Sequence, residues 1–331
     1  MARSWSAAPL LTGLKRAAAV SPGHITGFFE IRDQAPEPEK RGSRGAGFCI
    51  DLGALSLVEV EPAEAQSVHV VLDKAPSDAP VTRSAVLHLI QEALLQGKVA
   101  LDRDAPRGER AKVAVRVFTD LGIPVSQGFG ASGAGAYSAA LATARALGLG
   151  RSDALLAAHA AEVRQRTGLG DVVAMAHGGF EIRASPGLPP WGSVKAFVGY
   201  GDVVLCSIGD GLATKSVLTD AKKRAAINAA GARLVDRLLA GPSPELFVEL
   251  SRAFAEETGL MTPEVREAVD AARRAGGMAS MSMLGSSVFS LGRVDAVADA
   301  LEPYGAVLRT RVDERAARLL DIASSAPPGR P

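Results

Sequence analysis

Residues 128–146 read GFGASGAGAYSAALATARA, and this stretch decides the fold prediction. Its first half is rich in glycine and its second half in alanine, which predicts a tight loop followed by a helix from about Gly133. Glycines let backbone N–H groups approach an anion closely, and the N-terminus of the helix adds a partial positive charge. Ser132 stands at the junction, where its hydroxyl can reach a metal ion or a phosphate oxygen. The stretch therefore favours a phosphate-binding loop, with a small-residue helix that can pack tightly on a sheet.

Other interpretations of the same letters stay open. Gly128, Gly130 and Gly133 also fit the dinucleotide-binding pattern GxGxxG, but that pattern follows a strand directly, and Pro124 and Gln127 intervene here. A P-loop would need a lysine that the stretch lacks, and the nucleophile-elbow pattern GxSxG would need a glycine at a different position. A glycine-rich helix start that binds no ligand remains a further alternative.

Two carboxylates follow at a distance that suits a shared cleft. Glu162 lies three residues after His159, so both share a helix face, and most of their neighbours are alanine, valine or leucine. An ionised carboxylate on such a face is costly to bury without a cation or a hydrogen-bond donor. Asp171 comes directly after the segment Gly168-Leu-Gly170, so it either points into a cleft or caps the helix that follows.

Composition narrows the class of protein. The 331 residues carry 37 basic and 36 acidic side chains, a net charge of +1, so there is no chain-wide field for nucleic acid or an anionic membrane. No run of about 18 apolar residues occurs, and a membrane-spanning segment is not expected. Cys49 and Cys206 lie in apolar runs without a CxxC motif, which disfavours a cysteine zinc site or a disulfide framework and fits a cytoplasmic location.

The order of elements predicts an α+β protein of two domains. Alternating runs such as 55–62, 67–73 and 112–118 predict strands in the first half, whereas dense helical sequence covers 219–275. The pair Pro22-Gly23 predicts a turn between two short strands. A change of character near Pro189-Pro190 suggests a domain over 15–189 and another over 190–322. We expect residues 1–14 to be a flexible leader and residues 323–331 a disordered tail.

Three segments together resemble the GHMP kinase superfamily, the small-molecule kinases of the galactose, homoserine, mevalonate and phosphomevalonate type. They are SPGHITG at 21–27, GFGAS at 128–132 and the glycine-serine loop MSMLGSS at 281–287, in the order and at the spacing that the family uses. Four longer phrases are similar to the archaeal-type pantoate kinases within that superfamily: SPGHITGFFEI, GSRGAGFCIDLG, HAAEVRQRTGLGDV and GLATKSVL.

The resemblance implies a strand-rich N-terminal domain and a helix-rich C-terminal α/β-sandwich, with the active site in the cleft between them. It also implies ATP-dependent phosphorylation of the 4-hydroxyl of pantoate for coenzyme A synthesis. Ser132 and Glu162 would then hold Mg²⁺, and Asp171 would accept the proton of the substrate hydroxyl. The implied nucleotide-binding residues are Gly128, Phe129, Gly130, Ala131, Ser132, Gly133 and Ala134, and the late glycine loop contributes Gly285, Ser286 and Ser287.

Pantoate also carries a carboxylate, which needs a cation or hydrogen-bond donors. The expected substrate-binding residues are His24, where the family often has lysine, and Ser43, His159, Arg183 and Lys215. The alternatives are a kinase of another small alcohol, of homoserine or mevalonate type, a non-catalytic nucleotide-binding sensor on the same fold, and a nicotinamide-dependent dehydrogenase. The expected partners are ATP and a small substrate, without nucleic acid or membrane, and a homodimer is possible.

Overall fold

The computed structural model describes residues 13–99, 112–199, 201–209 and 214–321. The expected leader, apart from residues 13 and 14, and the expected tail lie outside these ranges. The strands are β1 (Lys15–Arg32), β2 (Gly42–Pro62), β3 (Ser67–Leu72), β4 (Ala75–Ser77), β5 (Val113–Leu121), β6 (Phe180–Ser185), β7 (Ser193–Phe197), β8 (Asp202–Ser207), β9 (Met278–Met281), β10 (Ser287–Leu291), β11 (Ala306–Arg311) and β12 (Arg318–Leu320). The helices are α1 (Pro80–Leu95), α2 (Ala131–Ala146), α3 (Arg151–Gln165), α4 (Asp171–His177), α5 (Thr214–Thr219), α6 (Ala221–Ala240), α7 (Pro244–Glu257), α8 (Pro263–Arg274) and α9 (Val294–Leu301).

A large, mostly antiparallel sheet forms the first layer. Its strands run in the order β12-β1-β2-β5-β3-β4, with β6 paired to the other end of β2 and β7 paired to β6; only β3 and β5 are parallel. Along β5 every second side chain is buried, so one face of the sheet is apolar. The helices α1, α2 and α3 cover that face, and the alanines of α2 let it lie close to the strands.

A four-stranded antiparallel sheet in the order β11-β8-β10-β9 forms the second layer. The helices α7, α8 and α9 pack against it, and α6 packs against α7 and against β1 of the first sheet. The N-cap residues Ser243 and Thr262 mark the starts of α7 and α8, and a proline follows each of them. The hydroxyl of each cap accepts a hydrogen bond from a backbone N–H of the helix that it begins, which separates α6, α7 and α8. Side chains of both sheets share one apolar core. The two layers are therefore packed into a single body.

The α+β architecture is as predicted, but some connections differ. Residues 15–32 form one long strand, so the predicted turn at Pro22-Gly23 is wrong. Pro22 pairs with Gly53 and Gly23 with Ile50, so the register shifts here and the two extra residues form a bulge on β2. Strand pairing on both sides keeps the backbone extended there. The first sheet also continues past residues 189 and 190, because β7 and β12 pair within it. Across the described ranges, no helix combines the length and apolar character needed to cross a bilayer.

Candidate active site

A cavity of about 320 Å³ opens where the two layers meet. The first layer contributes its phosphate-loop candidate, the loop before α4 and side chains from β1, β2 and β6. The second half of the chain contributes Leu218 of α5 and Met283 and Leu284 of the loop between β9 and β10. The three polar residues singled out from sequence, Ser132, Glu162 and Asp171, all line this cavity.

The glycine loop enters α2 through backbone conformations that suit glycine. Gly128 has φ +75° and Gly130 has φ +72°, and Gly130 caps α2 without any side-chain hydrogen bond to its first turn. The helix begins at Ala131, two residues earlier than expected, so the exposed Ser132 lies in the first turn. The first turn of α2 lines the cavity, so the positive end of the helix dipole lies at the cavity wall, an arrangement that favours anion binding.

The late glycine loop supports the phosphate loop from behind. The hydroxyl of Ser282 donates to the carbonyl of Gly128 (2.7 Å), and that of Ser287 donates to the carbonyl of Gln127 (2.6 Å). A Cβ at Gly285 would come 2.0 Å from the same Gln127 oxygen. Gly285, Ser286 and Ser287 are not among the described residues that line the cavity, and this part of the late glycine loop reaches the site through its contacts with the phosphate loop.

Glu162 is a buried carboxylate without a partner. Its residue surface is 2% exposed, and among the described residues it has no hydrogen bond or ion pair. Its oxygens lie in a gap between two glycines, since a Cβ at Gly133 would be 3.1 Å from Oε2 and one at Gly168 would be 2.6 Å away. Burial, and then the charge of Asp171, raise the pKa of Glu162 well above its usual value. An unpaired carboxylate on a cavity wall is what a bound cation would neutralise.

Asp171 is held as an anion by its neighbours. It begins α4, the N-cap being Gly170, so its side chain is not the cap and turns to the cavity and to His24. His24 Nδ1 donates to Oδ1 of Asp171 (2.7 Å), and Thr26 Oγ1 donates to the same oxygen (3.3 Å). Burial opposes ionisation, but the hydrogen bond and charge of His24 and the charge of Arg183 outweigh it and lower the pKa of Asp171.

Similarity to known proteins agrees with this site. The model of the GHMP kinase N-terminal domain matches residues 86–179, and that of the GHMP kinase C-terminal domain matches residues 237–306. A pantoate kinase from Thermococcus kodakarensis is 34% identical over 278 residues, which cover 83% of this chain and 87% of that enzyme. The chain belongs to the GHMP kinase family.

Two further proteins are similar to this GHMP kinase over most of its length. A pantoate kinase from Methanospirillum hungatei is 30% identical over 309 residues, 90% of this chain and 94% of that enzyme. A solved structure described as a phosphotransferase related to the CoA biosynthesis pathway has a TM-score of 0.77 at 28% identity, and covers 92% of this chain and 98% of its own. The family and the two-domain fold predicted from the sequence motifs are confirmed, and as a kinase of this family the protein uses ATP.

Two of the predicted substrate-binding residues face the cavity of this kinase together. Ser43 of β2 and Arg183 of β6 both line it, and a Cβ at Gly170 would lie 2.6 Å from Ser43 Oγ and 2.5 Å from Arg183 Nε. Arg183 Nε is buried and has no hydrogen-bond partner among the described residues. A hydroxyl and a guanidinium side by side form a suitable anchor for a carboxylate.

Of the other three predicted substrate contacts of the kinase, two lie away from the cavity and one falls outside the described side chains. His24 is fully buried behind Asp171 and does not line the cavity. His159 is also buried, and its Nε2 bonds to the carbonyl of Arg41 (2.9 Å), so it holds the segment before β2 in place. Burial lowers the pKa of His159, which favours the neutral ring. Lys215 lies in α5, and its side chain is outside the described part of the structure.

Sequence reasoning missed several residues at this kinase site. Thr26 and Thr167 line the cavity, and Thr167 Oγ1 is buried without a hydrogen-bond partner in the described structure. Glu181 is fully buried between His24 and Arg183. A signal for Glu181 exists in the sequence FEIRAS, where two charges alternate with apolar residues on one short strand. That pattern also describes an exposed strand face, so it did not single the residue out.

Proposed function

We propose that this protein is a pantoate kinase, which transfers the γ-phosphoryl group of ATP to the 4-hydroxyl of pantoate. The products are 4-phosphopantoate and ADP, and the reaction serves coenzyme A synthesis. The observation that carries the proposal is that one cavity presents a carboxylate, Asp171, and a guanidinium, Arg183, beside a phosphate-binding helix start. A hydroxy acid needs both groups, one for its hydroxyl and one for its carboxylate. The two pantoate kinases described above supply the identity of the acid.

The chemistry follows from where the side chains stand. The backbone of residues 128–133 and the N-terminus of α2 would bind the triphosphate, since these N–H groups are the available donors for anionic oxygens. Asp171 would accept the hydroxyl proton as the substrate oxygen bonds to the γ-phosphorus and the bond to ADP breaks. Its low pKa makes it a weak base, which suits a loose transition state in which proton removal comes late.

The cavity also fits a magnesium ion. The unpaired Glu162 and the hydroxyl of Ser132 supply the oxygen ligands that Mg²⁺ prefers. In the part of the chain that the structure describes, no group of three or more His, Cys, Asp or Glu side chains is arranged to hold a metal ion. Mg²⁺, however, commonly uses few protein ligands together with phosphate oxygens and water. When bound, the ion would neutralise charge on the phosphates. The backbone of residues 128–133 and Asp171 would keep the roles given to them above.

The test is the release of ADP on addition of pantoate, with phosphorus NMR of the product. We expect a phosphomonoester signal that the two protons on C4 split into a triplet. A phosphate at the 2-hydroxyl would instead give a doublet, because C2 carries one proton. Homoserine and mevalonate serve as alternative acceptors. ADP release with one of these but not with pantoate would assign another small-alcohol kinase. ATP binding without turnover of any acceptor would instead indicate a sensor. A cytoplasmic location and a homodimer remain predictions.

A further inference from the structure

Four charged side chains form a continuous chain behind the cavity. Asp171 accepts from His24 Nδ1 (2.7 Å), and His24 Nε2 lies 3.1 Å from Oε1 of Glu181. The same oxygen of Glu181 accepts from Arg183 Nη1. The two interior members, His24 and Glu181, are both 0% exposed, whereas Asp171 and Arg183 at the ends line the cavity. The chain therefore runs through protein from the group that faces the substrate hydroxyl to the group that faces its carboxylate.

The charges along this chain alternate. Both ring nitrogens of His24 face carboxylate oxygens, and an ionised carboxylate can only accept a hydrogen bond, so the imidazolium, with a proton on each nitrogen, satisfies both contacts. Glu181 in turn lies between two cations, His24 and Arg183. Each buried charge thus has an opposite neighbour, which is the condition for keeping ions in a dry interior. Loss of any one member would leave its neighbours unbalanced.

The surrounding backbone leaves room for this chain and fixes it. Opposite on β2, a Cβ at Gly47 would be 2.4 Å from His24 Nε2, and one at Gly45 would be 2.6 Å from Arg183 Nη2. Any side chain at either glycine would displace a member of the chain. The backbone N–H of His24 also donates to the carbonyl of Phe129 in the phosphate loop (3.0 Å). His24 therefore contacts the phosphate loop, the proposed base Asp171, and Glu181, which in turn supports Arg183.

We propose that His24 and Glu181 are positioning residues that set the separation of Asp171 and Arg183, and so select hydroxy acids by the span between hydroxyl and carboxylate. This proposal rests on the proposed function for the identity of the preferred acid. Neither residue touches the substrate. A base and a cation held by one rigid chain cannot adjust to a shorter acid, so the shorter acid engages only one of them at a time.

The first experiment compares pantoate with 3-hydroxy-2,2-dimethylpropanoate, which is pantoate without its C2 hydroxymethine. The shorter acid is assayed both as a substrate and as a competitive inhibitor of pantoate. The preference for pantoate over the shorter acid can then be measured even if the shorter acid gives no product. We expect Glu181→Gln to reduce the preference for pantoate by about tenfold and to raise the KM for pantoate, with the KM for ATP within about twofold of wild type.

A matched control is Glu30→Gln. Glu30 is also buried and also lies between two cationic side chains, Arg32 and Arg44, but neither of these arginines lines the cavity. It should leave the preference between the two acids unchanged. An unchanged preference in Glu181→Gln, or an equal rise in the KM for ATP and for pantoate, would overturn the proposal in favour of a purely structural ion pair.

A second variant separates the two arms of the chain. In His24→Gln the amide can still reach Glu181, which keeps Arg183 in place, but Asp171 loses its shorter hydrogen bond (2.7 Å) and keeps only that from Thr26 (3.3 Å). We expect kcat to fall at least about tenfold while the KM for pantoate changes less than about threefold. A kcat within twofold of wild type would overturn the positioning role of His24, whether or not Glu181→Gln folds. If wild type prefers another hydroxy acid, the preference and the KM values are measured with that acid and with its homologue shortened by one carbon. The positioning role of His24 and Glu181 is then tested even if pantoate is not the substrate.

Discussion

Asp171 remains ionised in a site that would otherwise favour the neutral acid. Its side chain is 25% exposed, and hydrogen bonds from His24 and Thr26 compensate for the lost water. Because its folded-state pKa lies below the ordinary value, it contributes stability above the unfolded pKa, and that contribution is lost only as pH falls through the folded pKa. Near neutral pH the group is therefore ready to accept a proton.

The first prediction concerns Asp171→Asn. The amide keeps the shape of the side chain but cannot accept the hydroxyl proton, so we expect kcat for pantoate to fall by about 10²–10⁴-fold. The KM for ATP should change little, whereas the melting temperature should fall, because asparagine removes the stabilising negative charge beside His24. Steady-state kinetics and thermal unfolding measure both, with Asp120→Asn, an exposed position on β5, as the control. Turnover close to wild type would remove Asp171 from the role of base.

The second prediction concerns Glu162→Gln. Removal of a buried, unpaired negative charge should raise the melting temperature of the metal-free protein at pH 8, because the raised pKa means that ionisation opposes folding as pH increases. The same change should raise the Mg²⁺ concentration for half-maximal activity by about tenfold or more. A magnesium titration identical to that of wild type would contradict the ligand assignment.

The sequence placed the cavity's acids but not their supports. Ser132, Glu162 and Asp171 stand next to glycine-rich turns, and that local pattern was enough to bring them to one cavity. His24 was predicted to contact the substrate because it lies in the first motif of the family resemblance, at a position where the family often has lysine. Its true surroundings come from Glu181, which is 157 positions away in sequence. Contacts across such separations depend on strand pairing, which composition and spacing do not encode.

At the scale of elements, the phosphate loop depends on a second loop packed against it. The two segments meet through backbone, because Gly128 and Gly285 approach so closely that a Cβ on Gly128 would lie 2.9 Å from the amide nitrogen of Gly285. Local propensity predicted both loops and the helix α2. It also predicted a turn at Pro22-Gly23, where pairing of β1 with β2 instead produces a bulge. At Pro22-Gly23 the pairing of β1 with β2 therefore overrides the local propensity for a turn.

The third prediction is that Gly285→Ala disturbs ATP binding. Its Cβ would come 2.0 Å from the carbonyl oxygen of Gln127, so the phosphate loop has to shift. We expect the KM for ATP to rise by about tenfold, with a smaller change in the KM for pantoate. Gly241→Ala is the control, since no atom lies within 4 Å of a Cβ there and its φ is −163°. Equal kinetics in the two variants would show that the packing of the loops is not needed.

At the scale of the molecule, one aromatic cluster joins the two layers. Phe247 of α7 lies 6.0 Å from Phe28 and 5.7 Å from Phe180 of the first sheet, and 5.9 Å from Phe289 of the second, measured between ring centroids. All four rings are fully buried. The cavity lies where these layers meet, so its shape depends on their packing.

The fourth prediction concerns this junction. Phe247→Ala should lower the free energy of unfolding by about 3–5 kcal/mol, since it removes a large side chain from a packed interior. Because the core is shared, we expect a single unfolding transition at lower denaturant concentration. Leu95→Ala, at a side chain that is 65% exposed, should change stability little. Two separate transitions in the Phe247 variant would show that the layers unfold independently.

The pairing of Arg318 with Val20 gives the molecule an unusual order of assembly. The strand next to β1 is synthesised only after every strand and helix of the second layer. During translation residues 18–20 of β1 therefore have one unpaired edge until β12 has left the ribosome, and the first layer cannot be completed before the second layer has been synthesised. Long-range closure of this kind slows folding and leaves an edge open to other chains. The first sheet of this kinase thus closes late, through a strand that follows the whole second layer in sequence.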